Sequence, residues 1–368
     1  MSAIYTNPIV LDPLNFTPLA RTPWGGQKII ERYKSAIPGV QELEDKRVGE
    51  SWEFSCDPDF PSKTLDGQYE ILELVRQYPT EILSQQLLRQ GSVSCEILVK
   101  LLNAASPLSL QVHPQDDDPY LLPHECGKPE SWLILDVEPG AGLYLGFSQA
   151  ISREELARRL KKGDDAKDLL QFVPVKKGDY FEIEPGVPHA IGAGVTLLEP
   201  QRIVFGKSGK TYRLWDWGRK YDSQGQLDPE HGKARELHLD EALRLVDSTK
   251  QVGLEWVNGR RRQAVTSQLS SGLMLAEYPA NAYYQVRSLH GAKDEVFKIR
   301  ADHGYAIILV LQGRCRLQGS GTHQASLETG YSALIPDQCW PLSVEVLDDQ
   351  TDVYVIQPAA TMISISID

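Results

Sequence analysis

The chain of 368 residues has an ordinary globular composition, with 41% hydrophobic and 24% charged residues. This composition excludes a wholly disordered, collagenous or coiled-coil protein, and no apolar run is long enough to predict a membrane span. The formal net charge of −12 argues against nucleic acid and anionic lipid as partners. An anionic small molecule would need a local cluster of Lys and Arg. The length predicts two domains.

The five cysteines are scattered without a CxxC pair, and they are odd in number. The first residues lack the basic start and apolar run of a secretory signal. We therefore expect reduced thiols and a cytoplasmic protein.

The elements follow a β-rich, helical, β-rich order. Residues 1–55 predict loops and short strands, and residues 70–91 predict two short helices broken by Pro79. Short strand-like runs with Gly and Pro turns follow, interrupted by a helical insert near 151–171 that predicts a helix pair divided at Gly163. After a polar, turn-rich stretch and a short helix at 239–247, strands return. This order favours sandwiches or jelly-roll barrels over βαβ units.

The segment LSLQVHP has the most informative pattern, because alternate residues of a strand face opposite sides. Its apolar face, which belongs in a core, consists of Leu108, Leu110 and Val112. The other face carries a hydroxyl, an amide and an imidazole from Ser109, Gln111 and His113. This set favours a ligand site over a solvated face, where Lys, Glu and Thr are expected.

Two later segments add candidate ligands. Glu130 stands at a strand entrance with Lys128 two residues before it, and a solvated carboxylate is the alternative interpretation. His189 follows the turn PGVP, where a structural histidine is the alternative. Together with Gln111 and His113, they would offer two imidazoles, one carboxylate and one amide oxygen from separate strands. Such a set suits Zn²⁺ with water completing the site.

Four segments in order resemble one enzyme family: LVKLLNAASPLSLQVHPQDD, GKPESWLIL, EPGVPHAIGAGVTLLEPQ and TYRLWDWGR. They are similar to motifs of the type I mannose-6-phosphate isomerases (phosphomannose isomerases), zinc-dependent cupin enzymes, in their short bacterial branch. RTPWGG and VGESWEFS resemble the opening segment of that family, so the likeness extends over about residues 21–219. It implies interconversion of mannose 6-phosphate and fructose 6-phosphate.

The resemblance also implies a domain plan. We expect a mainly β fold of two cupin (jelly-roll) barrels with a small helical insert. Residues 1–235 would form the N-terminal catalytic domain, and residues 236–368 a degenerate C-terminal domain without metal.

The resemblance further assigns roles to residues. The implied ligands of one Zn²⁺ per chain are Gln111, His113, Glu130 and His189. The implied substrate-binding residues are Lys100, Ser109 and Arg219. The implied catalytic residues are Lys128, Glu199 and Arg213. The high pKa of arginine makes Arg213 an acid or electrostatic partner and favours Glu199 as the base. Cations gathered at one barrel mouth would suit a phosphate dianion.

The chain departs from the family pattern at two places. Ile191 stands where the eukaryotic and enterobacterial branch has a tyrosine, so any contact from that tyrosine is lost. The connection between Glu199 and Arg213 is a few residues longer than usual, which leaves their relative placement open.

The GKT at 209–211 is not a P-loop, because Val204 stands where that motif needs a glycine.

The C-terminal strands repeat the rhythm of the first barrel without its ligands. When Pro336 is matched to Pro185, Trp340 falls where His189 stands. We therefore expect a metal-free second barrel with a structural or interface role. The remaining histidines of this half, which we expect on the surface or in loops, are His290, His303 and His323.

The implied reaction moves a proton between C2 and C1 of the sugar through a cis-enediol(ate). Zinc would polarise the oxygens or organise the substrate, and the sequence leaves both roles open. Two rival functions are an iron dioxygenase of the cupin fold and a non-catalytic bicupin that senses or stores sugar phosphate. We expect no nucleic-acid or membrane partner, and either a monomer or a homodimer.

Overall fold

The computed structural model describes residues 4–43, 46–162 and 166–367. Five α-helices lie within these ranges: α1 Ile71–Gln77, α2 Pro79–Arg89, α3 Arg153–Lys162, α4 Leu239–Leu245 and α5 Gly253–Asn258. Short turns of 3₁₀ helix occur at Ile4–Thr6, Val40–Glu42, Lys167–Leu169 and Asp337–Cys339, and a π-helical segment at Ile29–Lys34. No helix of the described chain is long and apolar enough to cross a membrane.

Most of the chain is β-strand. The strands of the first part are β1 Ile9–Val10, β2 Glu50–Phe54, β3 Ile97–Asn103, β4 Leu110–Val112, β5 Glu125–Cys126, β6 Glu130–Val137, β7 Gly142–Phe147, β8 Leu170–Pro174, β9 Tyr180–Ile183, β10 His189–Ile191, β11 Val195–Arg202, β12 Ser208–Gly209, β13 Tyr212–Trp215 and β14 Arg261–Arg262. The strands of the last part are β15 Val265–Ser270, β16 Leu273–Glu277, β17 Tyr284–Gly291, β18 Val296–Ala301, β19 Ala306–Gln312, β20 Arg314–Gln318, β21 Gln324–Glu328, β22 Ser332–Ile335, β23 Leu342–Val346, β24 Thr351–Pro358 and β25 Ile363–Ile367.

The N-terminal barrel consists of two facing antiparallel sheets. Their strand orders are β13-β4-β10-β7-β8 and β14-β9-β6-β11-β3-β2. An apolar core fills the space between them, with Leu102 and Trp132 from one sheet and Leu143 and Leu145 from the other. The residues of β3, β7 and β11 are all buried, and β3 and β11 bury polar side chains such as Lys100 and Glu199 among their apolar ones.

The C-terminal barrel has the same two-sheet plan. Its sheets have the orders β1-β22-β19-β24-β17-β16-β15 and β21-β20-β23-β18-β25. The core between them includes Phe297 and Ile299 of β18 and Ile308 and Val310 of β19. The first strand of this seven-stranded sheet, β1, comes from the opposite end of the chain. The structure thus confirms a mainly β fold of two jelly-roll barrels.

The helices agree with the sequence pattern except in the insert and at α5, where the sequence predicts a return to strands. Helices α1 and α2 meet at Pro79, and α4 lies within the predicted segment. In the insert, the amide of Glu155 donates to Ser152 Oγ at 3.1 Å at the start of α3. Gly163 lies outside the described residues. The prediction of a second helix in the insert is wrong, because a single 3₁₀ turn leads directly into β8, which pairs with β7.

The two barrels share a further apolar cluster that packs β3 and α2 against β19 and β24 of the C-terminal barrel. A buried ion pair lies in the same contact: Lys34 Nζ is 2.7 Å from Glu53 Oε2, and it also donates to the carbonyl of Gly330. The division of the chain at residue 235 stays a prediction. Strand β14 pairs with β9 of the N-terminal barrel.

Candidate active site and metal centre

Three buried side chains converge between the two sheets of the N-terminal barrel. His113 directly follows β4 and His189 begins β10, the strand that pairs with β4. Glu130 begins β6 in the facing sheet. Its carboxylate oxygens lie 3.4 Å from His113 Nε2 and 3.5 Å from His189 Nε2, and all three side chains are fully buried. Ligand atoms around a tetrahedral Zn²⁺, with bonds of about 2.0–2.2 Å, lie at similar separations.

Backbone carbonyls fix the orientation of both imidazoles. His113 Nδ1 donates to the carbonyl of Lys210 at 3.1 Å, and His189 Nδ1 donates to that of Val187 at 2.8 Å. Each Nε2 then carries a lone pair that points toward Glu130. Burial lowers the pKa of His113, and it lowers the pKa of His189 to about 3. Both rings are therefore neutral, as metal ligands must be.

The donor set fits a metal ion. His113 Nε2 and Glu130 Oε1 have no hydrogen-bond partner among the residues that the structure describes. Buried acceptors of this kind are costly unless a proton or a cation satisfies them. His113, Glu130 and His189 form a group that could hold a metal ion, with the ligand atoms all within 4.8 Å of one another. These three residues are called the metal group below.

Gln111 completes the set that the sequence predicts. Its amide Nε2 lies 3.3 Å from His189 Nε2, and the side chain is partly exposed to the cavity described below. The oxygen and nitrogen of an amide exchange places by a half-turn. Gln111 can therefore place its amide oxygen where the nitrogen now lies, 3.3 Å from His189 Nε2.

Lys128 adds a positive charge beside the metal group. Its ammonium lies 3.0 Å from Glu130 Oε2. Burial alone would raise the pKa of Glu130, but the charge of Lys128 opposes burial, and that pKa is held well below its usual range. The carboxylate is therefore ionised at neutral pH.

A second buried pair lies next to this group. Glu199 of β11 and Lys100 of β3 are directly opposed in the sheet, with Lys100 Nζ 3.0 Å from Glu199 Oε1. Trp132 Nε1 donates to the other carboxylate oxygen at 3.0 Å. Burial and the nearby charge of Glu130 raise the pKa of Glu199. The pKa of Lys100 is also raised, because the carboxylates of Glu199 and Glu50 outweigh its burial.

A cavity of about 460 Å³ opens above these groups, within the range of small-molecule sites. The predicted site residues that line it are Lys100, Ser109, Gln111, Lys128, Glu199 and Arg213. Arg213 Nε donates to Ser109 Oγ at 3.1 Å, so these two lie together on the wall. Positive side chains thus gather in one cavity of an acidic protein.

Comparison with known proteins identifies the family. A family model for the catalytic domain of type I phosphomannose isomerases matches residues 17–133. The mannose-6-phosphate isomerase ManA of Bacillus subtilis is 33% identical over 243 residues, which are 64% of this chain and 68% of that protein. The chain belongs to the type I mannose-6-phosphate isomerase family. The resemblance stated from the motifs is confirmed, and the chain is an enzyme of this family.

Solved structures of the family share the fold. A mannose 6-phosphate isomerase from Bacillus subtilis matches with a TM-score of 0.73 and 24% identity, over 95% of this chain and 99% of its own. A crystal structure of a mannose 6-phosphate isomerase bound with zinc and yttrium also matches. Its TM-score is 0.69 at 15% identity, over 96% of this chain and 99% of its own.

The structure places Arg219 outside the residues that line the cavity. Its guanidinium bonds to Asp216 at 2.6 Å and to Ser106 Oγ at 3.0 Å. Arg235, which the sequence reasoning missed, lines the cavity instead and bonds both oxygens of Asp216. Arg213 and Arg235 both line the cavity, and burial together with the charge of Arg235 lowers the pKa of Arg213.

No motif signalled Arg235, because it lies in the polar stretch between β13 and α4. Further lining residues that sequence reasoning did not single out are Arg21, Glu50, Asp57 and Gln201. Arg21 falls in RTPWGG, one of the segments that resembles the family, and this was the available signal.

The histidines of the C-terminal barrel lie away from this centre. His290 and His323 are exposed, and His290 pairs with Asp352 at 2.7 Å. His303 occupies a bend, as expected for a loop residue, but is 8% exposed. Trp340, matched by sequence to His189, donates its Nε1 to the carbonyl of Gly304.

Proposed function

We propose that the chain is a zinc-dependent aldose–ketose isomerase that interconverts mannose 6-phosphate and fructose 6-phosphate. The observation that carries the proposal is the buried group His113, Glu130 and His189 beneath a cavity lined with cations. The family of the chain supplies the substrate class. An iron dioxygenase would want an apolar pocket, whereas Lys100, Lys128 and the arginines line this one.

One Zn²⁺ would be held by His113, Glu130 and His189, with Gln111 as a further oxygen ligand. The neutral imidazoles and the ionised carboxylate support this assignment. Bound there, zinc would supply Lewis-acid polarisation of the sugar oxygens.

We assign proton transfer between C2 and C1 to Glu199. Its raised pKa makes the carboxylate a stronger base than an exposed one. Lys100 and Trp132 hold its two oxygens, and each oxygen keeps a further lone pair for a proton. One carboxylate that takes a proton from C2 and returns it to C1 on the same face is consistent with a cis-enediol(ate).

Lys128 and Arg213 would stabilise charge on the sugar oxygens. Both line the cavity, and an ammonium and a guanidinium group suit electrostatic roles better than that of a base. Lys128 lies beside the metal group, 3.0 Å from Glu130 Oε2, whereas Arg213 lies beside Ser109.

The phosphate would bind at the cluster of Ser109, Arg213 and Arg235. Two arginines there face the cavity, and the carboxylate of Asp216 is shared between Arg235 and Arg219. The three arginines and one carboxylate leave an excess of positive charge that suits a dianion.

Lys100, predicted for this role, lines the same cavity but bonds to Glu199.

We also propose that the catalytic domain extends to about residue 262. Helix α4 packs on β13 and α5 on β7, and β14 pairs with β9. The C-terminal barrel would then begin with β15 and serve a structural role without metal.

The proposal is tested by measuring fructose 6-phosphate formed from mannose 6-phosphate, before chelation, after chelation and after return of zinc. Turnover should disappear with chelation and return with zinc. His113→Ala should lose both zinc and turnover, whereas His290→Ala, an exposed histidine of the C-terminal barrel, should keep both. Binding of sugar phosphate by zinc-loaded protein without turnover would overturn the isomerase and indicate a binding protein.

A further inference from the structure

Four residues of the longer connection between β11 and β13 form a strap, residues 208–211, beside the metal group. Its strand β12 pairs in parallel with β5, with Ser208 opposite Glu125. The amide of Ser208 donates to the carbonyl of His124, and that of Lys210 to the carbonyl of Cys126, both at 2.9 Å. The strap is therefore fastened to the segment that leads into Lys128 and Glu130.

The strap touches the metal group through its backbone. The carbonyl of Lys210 accepts the Nδ1 hydrogen of His113 at 3.1 Å, and Thr211 Oγ1 lies 3.4 Å from the same nitrogen. This bond selects the tautomer of His113 and turns its Nε2 toward Glu130. Partners of this kind govern how well a histidine binds a metal.

The side chain of Lys210 anchors that carbonyl. Its ammonium lies 2.6 Å from Glu125 Oε1, and the carboxylate of Glu125 is largely buried. The other oxygen of Glu125 accepts the amide of Leu122 at 3.0 Å, so the carboxylate is itself held in place. The ion pair ties the strap to the segment before β6 at the residue whose carbonyl meets His113.

The strap also packs against Lys128. A Cβ at Gly209 would lie 3.2 Å from Lys128 Cγ, closer than ordinary contacts allow without a shift. Glycine at this position therefore lets the backbone approach the lysine. Ser208, Gly209 and Thr211 line the cavity as well.

We propose that the Lys210–Glu125 ion pair is a positioning device that holds the Lys210 carbonyl on His113 and thereby sets the zinc affinity of the site. Neither side chain is a metal ligand, and both act through the strap. The inference rests on the zinc site of the proposed function. It does not depend on the reaction that the site performs.

The test measures zinc affinity by competition with a chromophoric chelator, in the absence of substrate. Lys210→Met and Glu125→Gln should each weaken zinc binding about 10-fold or more, the range found for partners of metal ligands. The double variant should lose little beyond either single one, because both remove the same ion pair. Lys210→Arg should restore most of the affinity, since it keeps the charge.

The matched control is Lys207→Met, which removes an exposed positive charge just before the strap. Its zinc affinity should equal that of the unaltered chain. Equal affinities for Lys210→Met and Lys207→Met would overturn the positioning role, and so would additive losses in the double variant. A chain that binds zinc tightly but does not isomerise mannose 6-phosphate would refute the proposed function and leave this test valid.

Discussion

Lys100 and Glu199 face each other across paired strands, and the ammonium of one lies 3.0 Å from the carboxylate of the other in a fully buried setting. The lysine could be expected to lower the pKa of the glutamate strongly. Burial and the charge of Glu130 instead leave that pKa raised. The pair therefore keeps a carboxylate in the cavity that is held in place but remains able to accept a proton.

The first prediction concerns this carboxylate. Glu199→Gln keeps the size of the side chain but removes the base, so kcat should fall about 10²–10⁴-fold with a smaller change in KM. Steady-state kinetics on zinc-loaded protein would measure it. Glu328→Gln, an exposed residue of the C-terminal barrel, is the control. A kcat for Glu199→Gln within a few-fold of the unaltered chain would remove Glu199 from the reaction.

A second prediction separates two arginines that share one partner. Arg219 and Arg235 both bond to Asp216, but of the two it is Arg235 that lines the cavity. Arg235→Met should raise KM for mannose 6-phosphate about 10-fold or more, because a charge-assisted hydrogen bond is worth about 1.5–3 kcal/mol. Arg219→Met should change KM much less. The opposite order would return the phosphate role to Arg219, as the sequence predicts.

A third prediction is the pH dependence of stability at Asp216. Burial would raise the pKa of this carboxyl, but its bonds to Arg235 and Arg219 outweigh burial and lower it. A folded pKa below the unfolded value of about 3.9 stabilises the protein above that pH. This contribution is lost as the pH falls through the folded pKa.

Asp216→Asn should therefore cost about 3 kcal/mol of unfolding free energy at pH 7, as expected for a buried charge pair that loses one partner. The difference between the two proteins should shrink at pH values below about 4. Urea unfolding at both pH values would measure it. A difference that stays constant with pH would show that the carboxylate charge contributes nothing.

A fourth prediction tests the ion pair between the barrels. Lys34→Met leaves the carboxylate of Glu53 buried, with Ser51 as its remaining side-chain partner, and should cost about 3–5 kcal/mol of unfolding free energy. Adding Glu53→Gln should recover part of the loss. Lys28→Met is the control, because its ion pair with Asp136 is partly exposed and should be worth under about 1 kcal/mol. Thermal or urea unfolding of the three variants would measure these differences in unfolding free energy.

The sequence could predict the metal group because its donors sit at strand ends with clear patterns. QVHP, KPE and PHA each place a candidate metal ligand next to an apolar strand, and paired strands bring such positions together. The predicted apolar face of LSLQVHP is confirmed for Leu110 and Val112, which share one core cluster. The prediction is wrong for Leu108, because this residue lies before β4. It packs in the core between the two sheets of the N-terminal barrel and also lines the cavity.

The remaining parts of the site depend on loops. Arg235 reaches the cavity from an irregular stretch, and Lys210 meets His113 across 97 positions of sequence. Neither contact follows from a period of two or 3.6 residues, because each depends on how the chain turns between the elements. The same reason explains why Arg219 matched a family position but lies against Asp216 and Ser106.

Strand β1 has a consequence for how the chain is made. Ile9 and Val10 pair with Leu334 and Ala333, so the seven-stranded sheet joins residues more than 300 positions apart. During synthesis this segment must wait until residues 333–334 have emerged, and contacts of such long range slow folding. A fragment that begins at β15 would leave one edge of β22 uncovered and ready to pair with another chain.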